Sequence, residues 1–424
     1  MRNEGGIVGN LDWSVVLIYL ILVTMGWFNI YASVYDAEAA TSMFDFTINS
    51  GKQLLWIGLS VVLISIILIV DFRIYESLSP ILYALFILLL MAVLVFGKTI
   101  NGAKAWFEFG PLRFQPAELT KFATALLLAR YLSLTGVKLS EFKYQVRAAA
   151  ILLLPVGLIL LQPDAGSAMV FAIFIIPMYR EGFPGTIIVV GLVLITLLVT
   201  TYLVKVLPLV LVIFGIAALV FLIMKKTRKG IIMLLLTVVT ACGLVYGADF
   251  FYTEVLKEYQ RDRIDTILKP NQVDVRNEGW NLEQSKIAIG SGGFGGKGFL
   301  EGTQTKFGYV PEQSTDFIFS TLAEEHGWLG SLVLIGIFIV LLMRIVRIAE
   351  RQKSKFSRVY AYSVASILFF HFTINLAMTI GLFPVVGIPL PFFSYGGSSL
   401  WSFTIMLFVL LKIDAHRTQV LTRG

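Results

Sequence analysis

Apolar residues run through this chain in long unbroken blocks. They do not follow the helical or alternating spacings of a soluble fold. Blocks at about 12–33, 53–70, 78–97, 116–134, 147–162, 166–180, 185–204, 207–224, 230–250, 316–343, 359–381 and 398–412 predict about twelve transmembrane helices. The short alternating segments of a transmembrane β-barrel are absent. The expected fold class is therefore all-α: a polytopic integral membrane protein, one transmembrane domain over 1–424, with a large extracytoplasmic loop at 251–315. The first block, Trp13 to Ala32, is too long for a signal-peptide core and lacks a small-residue cleavage site, so it reads as a retained span.

Charge orients this array. Arg73, then Arg130, Lys138, Lys143 and Arg147, then Arg180, then Lys225 to Lys229, then Arg344 to Arg358, and finally Lys412, Arg417 and Arg423 all fall on one side when twelve spans are counted. The positive-inside rule makes that side cytoplasmic and puts both termini there. The other side holds an acidic first loop (Asp36, Glu38, Asp45), the loop 98–115, the turn Gln162-Pro163-Asp164, the long loop and the loop 382–397.

Composition agrees. The chain is 57% hydrophobic and only 14% charged, against roughly 25% charged in soluble proteins. The net charge of +7 sits mostly in short loops, so topology accounts for it and no nucleic-acid partner is expected. Cys242 is the single cysteine, which excludes an intrachain disulfide or a cysteine metal cluster. His326, His371 and His416 are far apart in sequence, so no histidine metal site is expected.

The stretch from Gln284 to Gly327 is neither apolar run nor basic tail. It packs six glycines into nine positions (Gly290 to Gly298) and follows them with Glu312, Asp316, Glu324 and Glu325. Its Gly290-Ser-Gly-Gly-Phe-Gly295 matches a dinucleotide fingerprint but lacks the strand before and helix after that the fingerprint needs. These glycines either leave a flexible loop or bring backbone N–H groups near an anion.

Asp316 opens an apolar helix. It reads either as a first-turn or capping acid or as a general base at the membrane boundary, with a pKa raised by burial beside Phe317 and Phe319. Glu118 and Lys121, one turn apart, are a structural ion pair or cavity-facing groups. Lys52 and Asp164 are further ionisable groups at outer span ends. Trp106 is an interface-belt aromatic or a platform for a sugar face. Arg261, Arg263, Lys286, Lys297 and Lys306 form a basic set, solvated or neutralising a pyrophosphate. Ser394-Tyr-Gly-Gly397, after Pro384, Pro389 and Pro391, predicts a broken turn entering the last span; irregular backbone at such depth lines a cavity or is buried in protein.

Several stretches together resemble the SEDS family (shape, elongation, division and sporulation proteins). They are Gly102-Ala-Lys-Ala-Trp106, Phe114-Gln-Pro-Ala-Glu118-Leu-Thr-Lys121, Gln162-Pro-Asp164, Gln284 to Gly293, Gly302-Thr-Gln304, Pro311-Glu312, Thr315-Asp-Phe-Ile-Phe319, Glu324-Glu325, and Phe383 to Pro391 with Ser394 to Gly397. Gly302-Thr-Gln304 and Ala323-Glu-Glu325 favour the elongation branch over the division branch. The resemblance implies a peptidoglycan glycosyltransferase that polymerises lipid II at the outer face of the cytoplasmic membrane, beside a class B penicillin-binding protein and membrane lipid.

It implies Asp316 as the essential acidic residue of catalysis, the general base of an inverting transfer. Lys52, Trp106, Glu118, Lys121, Asp164, Arg261, Arg263, Glu312 and Ser394 are the expected substrate-binding residues. No cofactor is firmly implied; a divalent cation is left open, without metal ligands assigned. Two departures stand out. The family usually has ten spans, so an extra helix pair is expected within 181–250, and Ser314 stands where a histidine is common. A transporter of polyprenyl-linked sugars is the rival reading. It would show internal repeats or paired broken helices, and the polar motifs here crowd one face instead. A non-catalytic scaffold for the partner synthase is the third.

Overall fold

The computed structural model describes residues 7–35, 42–100, 102–110, 112–203, 206–255, 261 and 279–417. The chain forms two compact units, Met1–Phe183 with Asn281–Gly424, and Pro184–Trp280.

The first unit carries helices α1 (Trp13–Val34), α2 (Asn49–Ile69) and α3 (Ser79–Phe96). Strands β1 (Lys98–Ile100), β2 (Ala103–Phe109) and β3 (Leu112–Phe114) follow, then α4 (Pro116–Ser133), α5 (Phe142–Leu160) and a broken run α6 (Ala165–Arg180). The second unit is mainly α7 (Gly185–Leu203), α8 (Val206–Ile223) and α9 (Arg228–Phe250). The chain ends with α10 (Trp280–Ser291), the short α11 (Thr303–Lys306), α12 (Ile318–Glu350), α13 (Lys355–Thr379) and α14 (Gly397–Ala415).

Each of the twelve apolar blocks coincides with a helix or helical run. Among the described residues, nine helices are long and apolar enough to cross a membrane. The blocks at 116–134, 166–180 and 185–204 are not among the nine. α4 carries Glu118, Lys121 and Arg130. α6 is interrupted by a tighter turn at Val170–Phe174. Pro177 explains that break: it has no N–H to return to the carbonyl of Ile173, so the α-ladder loosens there.

The outer and inner helices are made differently. α2 and α3 keep broad apolar faces exposed, among them Leu55, Leu59, Val62 and Leu88, the surface expected against lipid tails. α14 is buried almost all round, and α4 buries Ala117, Ala123, Ala125 and Ala129. Small side chains let neighbouring helices approach closely where lipid supplies no hydrophobic drive. α12 bends at Gly327 (φ 62°, ψ −157°), a backbone conformation essentially reserved for glycine.

One end of the first unit is tied by ion pairs. Asp12 before α1 accepts from Arg344 and Arg351 at 2.9 and 3.1 Å. Arg351 also pairs with Asp414 near the end of α14. Arg358 is forked onto Glu181 at 2.8 and 3.1 Å, and Arg180 reaches Glu350 at 3.0 Å. Residues 12 and 414 therefore meet at one arginine. Several arginines that carried the topology signal also lock helix ends together.

The loop 98–115 carries a three-stranded antiparallel sheet in the order β1-β2-β3. It pairs Lys98 with Trp106 and Phe107 with Phe114.

Candidate active site

Asp316 closes a turn that begins at Glu312. The N–H groups of Thr315 and Phe317 both bond the Glu312 carbonyl, at 3.1 and 3.2 Å. Glu312 takes φ 53° to make this possible. Phe317 then buries its ring against Ala288 and Val310. α12 starts only at Ile318, and no side chain caps it. Asp316 is thus not the helix cap that its position allowed.

The turn is fastened to the 384–396 segment. The Ser394 hydroxyl donates to the Thr315 carbonyl at 2.7 Å and accepts the Leu390 N–H at 2.8 Å. The Tyr395 N–H bonds the Ser314 carbonyl at 2.9 Å. Ser394 is buried, with both bonds directed at backbone. The Ser314 hydroxyl accepts from Asn49 of α2 at 3.0 Å.

The Asp316 carboxylate has no hydrogen bond from any described protein donor, although one edge stays open to solvent. Burial, with the negative charges of Glu312 and then Asp164, pushes its pKa up to about 7. A methyl group placed on Gly387 would lie 3.4 Å from its Oδ2, so this glycine walls the carboxyl closely.

Asp164 behaves in the opposite way. It caps α6, accepting the Ser167 N–H at 3.0 Å and the Gln115 amide at 2.8 Å. The Lys104 N–H bonds the Gln162 carbonyl at 3.1 Å, which docks β2 against this turn. Trp106 lies on β2, half-buried. Lys52 lies near the start of α2, half-buried, with no bonded partner among the described residues. Its helix neighbour Gln53 touches the Gly396 N–H at 3.3 Å. Glu312 is exposed, holding the Thr315 hydroxyl at 2.9 Å.

Glu118 and Lys121 lie inside the protein. Lys121 Nζ donates to Glu118 Oε1 at 2.7 Å and meets His371 Nε2 at 3.0 Å. All three residues are at most 3% exposed. As they stand, these two are part of an internal network and not an open binding surface. Arg261 belongs to the second unit and already has an interaction partner. Arg263 lies outside the described residues.

The glycine-rich stretch packs on the α12 kink. Lys297 and Gly298 donate backbone N–H groups to the carbonyls of Glu324 and Glu325, and Trp328 to that of Gly293. The anion next to this loop is internal. Glu324 accepts the N–H groups of Thr303, Gln304 and Thr305 at 2.7 to 2.9 Å and Lys297 Nζ at 2.6 Å. Glu324 thus satisfies the first N–H groups of α11 and holds the loop.

Sequence reasoning missed Gln115, His371 and Asn375. The last two are polar residues inside an apolar block, and the cost of burying such groups in a membrane was the available signal. Among the described residues no three Asp, Glu, His or Cys side chains group closely enough to hold a metal ion. What the site offers is a carboxyl poised near neutral pH, a second acid fixed opposite it, and a half-buried lysine and tryptophan on elements tied to the same turns.

Comparison with known proteins places this geometry. The model of the cell cycle protein family FtsW/RodA/SpoVE matches residues 12–229 and again 183–419. The overlap, 183–229, falls where the surplus helix pair was expected. The peptidoglycan glycosyltransferase RodA of Treponema pallidum is 35% identical over 98% of this chain and 100% of its own. The peptidoglycan glycosyltransferase MrdB of Escherichia coli is 34% identical over 81% of this chain and 80% of its own. A chain of a solved peptidoglycan synthase complex, in which polymerisation and crosslinking are coordinated, superposes with a TM-score of 0.71 at 29% identity, covering 97% of this chain and 99% of that one. The crystal structure of Thermus thermophilus RodA gives 0.61 at 26% identity, covering 97% and 98%.

Proposed function

The chain belongs to the FtsW/RodA/SpoVE family and is a peptidoglycan glycosyltransferase of the membrane, and on that premise we propose that Asp316 is its general base in lipid II polymerisation. The observation that carries this is the unbonded Asp316 carboxyl, held at about 7. A base must be largely deprotonated at working pH yet keep affinity for a proton, which a pKa near neutrality provides.

Asp316 takes the proton from the 4-hydroxyl of the acceptor GlcNAc. That oxygen bonds to the anomeric carbon of the donor MurNAc as the bond from that carbon to undecaprenyl pyrophosphate breaks. The α-linked donor becomes a β-1,4 link by one inversion, so no glycosyl-enzyme intermediate is needed. The leaving pyrophosphate carries away negative charge. Fixed cations stabilise such charge most effectively where water is excluded. Lys52 has a head group free for this, and Arg261 and Arg263 are further candidates from the loop. Lys121 is committed to Glu118 and His371, so its part is internal. Trp106 offers a flat face for a sugar ring, and Asp164 and Glu312 hold the proton affinity of Asp316 up.

The site lies at the outer face of the bacterial cytoplasmic membrane, with both termini cytoplasmic. The cell process served is elongation, and a class B penicillin-binding protein crosslinks the product. The complex named for the similar solved structure supports that pairing. The test is polymerisation of purified lipid II by the protein with its cognate penicillin-binding partner. Wild type should make long glycan strands and folded Asp316→Ala none. Equal polymer from both would move the base elsewhere, and lipid II crossing liposomes without polymer would make the protein a transporter.

A further inference from the structure

We propose that Asn375 and His371, one turn apart on α13, are positioning residues that clamp the 386–390 turn against Asp316 and so set the environment of its carboxyl. The proposal rests on the reading of Asp316 as the base.

The 386–390 stretch is short of donors of its own. Phe383 to Pro391 reads Phe-Pro-Val-Val-Gly-Ile-Pro-Leu-Pro, and its three prolines have no N–H to donate. The carbonyls of Ile388 and Pro389 are instead met from α13. Asn375 Nδ2 has two hydrogens and uses both, donating to the Ile388 carbonyl at 2.7 Å and to the Asp316 carbonyl at 2.8 Å. One amide thus joins the residue that bears the carboxyl to the segment that walls it. His371 Nδ1 lies 3.2 Å from the Pro389 carbonyl.

A carbonyl only accepts and an ammonium only donates, so the two contacts together call for His371 with its proton on Nδ1 and Nε2 unprotonated. Its Nε2 then accepts from Lys121 Nζ at 3.0 Å. The chain of bonds runs from Glu118 through Lys121 and His371 to Pro389. Asn375 is fully buried and His371 is 1% exposed, and no lipid or solvent competes for these bonds.

The clamped turn contains Gly387, the close neighbour of Asp316 Oδ2. If the turn moves outward, water gains the carboxyl. The charged groups facing Asp316 are Glu312, from its own turn, and Asp164, from the start of α6. Those facing His371 are Lys121 and, through it, Glu118. Loss of the clamp should relieve desolvation while leaving the repulsion from Glu312 and Asp164.

The test uses the full-length protein in lipid nanodiscs with two variants. Asn375→Leu keeps volume and removes both donors; Asn375→Ser keeps one donor and relieves packing. Asp316 is titrated by carbodiimide labelling against pH, read by tandem mass spectrometry. This readout needs no activity. In wild type, labelling should fall with a midpoint near 7. In Asn375→Leu the midpoint should move toward the ordinary aspartate range. In parallel, kcat for lipid II polymerisation should drop by about 10²-fold, the cost of roughly an ångström of misplacement, while KM stays within about threefold. Asn375→Ser should fall between.

A merely structural Asn375 would lower thermal stability and leave the midpoint in place. An unmoved midpoint in whichever variant folds overturns the proposal. If Asp316→Asn polymerises at the normal rate, the base assignment fails, and the labelling midpoint still decides the clamp.

Discussion

Replacing Asp316 by Asn should make the protein more stable while abolishing its chemistry, and the gain should depend on pH. The Asp316 carboxyl titrates at about 7 in the fold and at about 3.9 when unfolded. The sign follows from proton binding. Below pH 4 both states hold the proton and nothing is lost. As pH rises toward 7 the unfolded chain ionises while the folded site keeps its proton, so folding is progressively disfavoured. Above 7 the loss is complete. At 1.36 kcal/mol for each pKa unit, the loss is about 1.5 kcal/mol at pH 5 and about 4 kcal/mol at pH 8. Solvent at the open edge of the carboxyl makes these figures ceilings.

Asn does not titrate. The stability advantage of Asp316→Asn over wild type should therefore grow by about 2.5 kcal/mol between pH 5 and pH 8, whatever its constant offset. For a membrane domain this corresponds to a shift in Tm on the order of 5 °C. Thermal unfolding of both proteins in one detergent at the two pH values measures it. An identical Tm difference at pH 5 and pH 8 would refute the idea that the fold holds this carboxyl protonated above its ordinary range.

The same titration predicts the rate. Polymerisation should rise about tenfold from pH 6 to pH 8 as Asp316 ionises, and a lipid II assay that is already flat at pH 6 would contradict it. Lys121→Met should cost about 3 kcal/mol by leaving the Glu118 carboxylate buried and unpaired; Glu118→Gln added to it should recover most of that loss in thermal unfolding. Glu324→Ala strips the bonds from Thr303, Gln304, Thr305 and Lys297, so limited proteolysis should begin to cut within 297–306, where wild type resists. Gly327→Ala should lower Tm sharply, because a side chain there meets the backbone of 294–296 and must adopt a conformation costing about 1–3 kcal/mol.

What the sequence made legible was local. Twelve apolar blocks became helices because helix formation inside a bilayer is the only way such runs can satisfy their own backbone. The Glu118–Lys121 pair was readable from its one-turn spacing, whereas its third member, His371, is 250 residues away and had no local signal. The strands at 98–114 were missed because they are short, mix charge with aromatic residues, and form only where the loop docks beside Gln162. The glycine-rich stretch was readable as a tight loop near an anion. That the anion is Glu324, on a helix that begins later in the chain, was not.

The two aspartates make the limit concrete. Asp164 and Asp316 each precede an apolar helix, and either could be read as a cap. Asp164 directly precedes α6, so its carboxylate reaches the Ser167 N–H, and the Gln115 amide adds a second donor. Asp316 is followed by Phe317, which is buried against Ala288 and Val310, and α12 begins one residue later with no side chain capping it. A carboxylate enclosed beside two other acids, with no donor among the described residues, holds on to its proton above its ordinary range. The reactivity assigned to Asp316 therefore comes from bonds it does not make, and local spacing shows only the bonds that a residue could make.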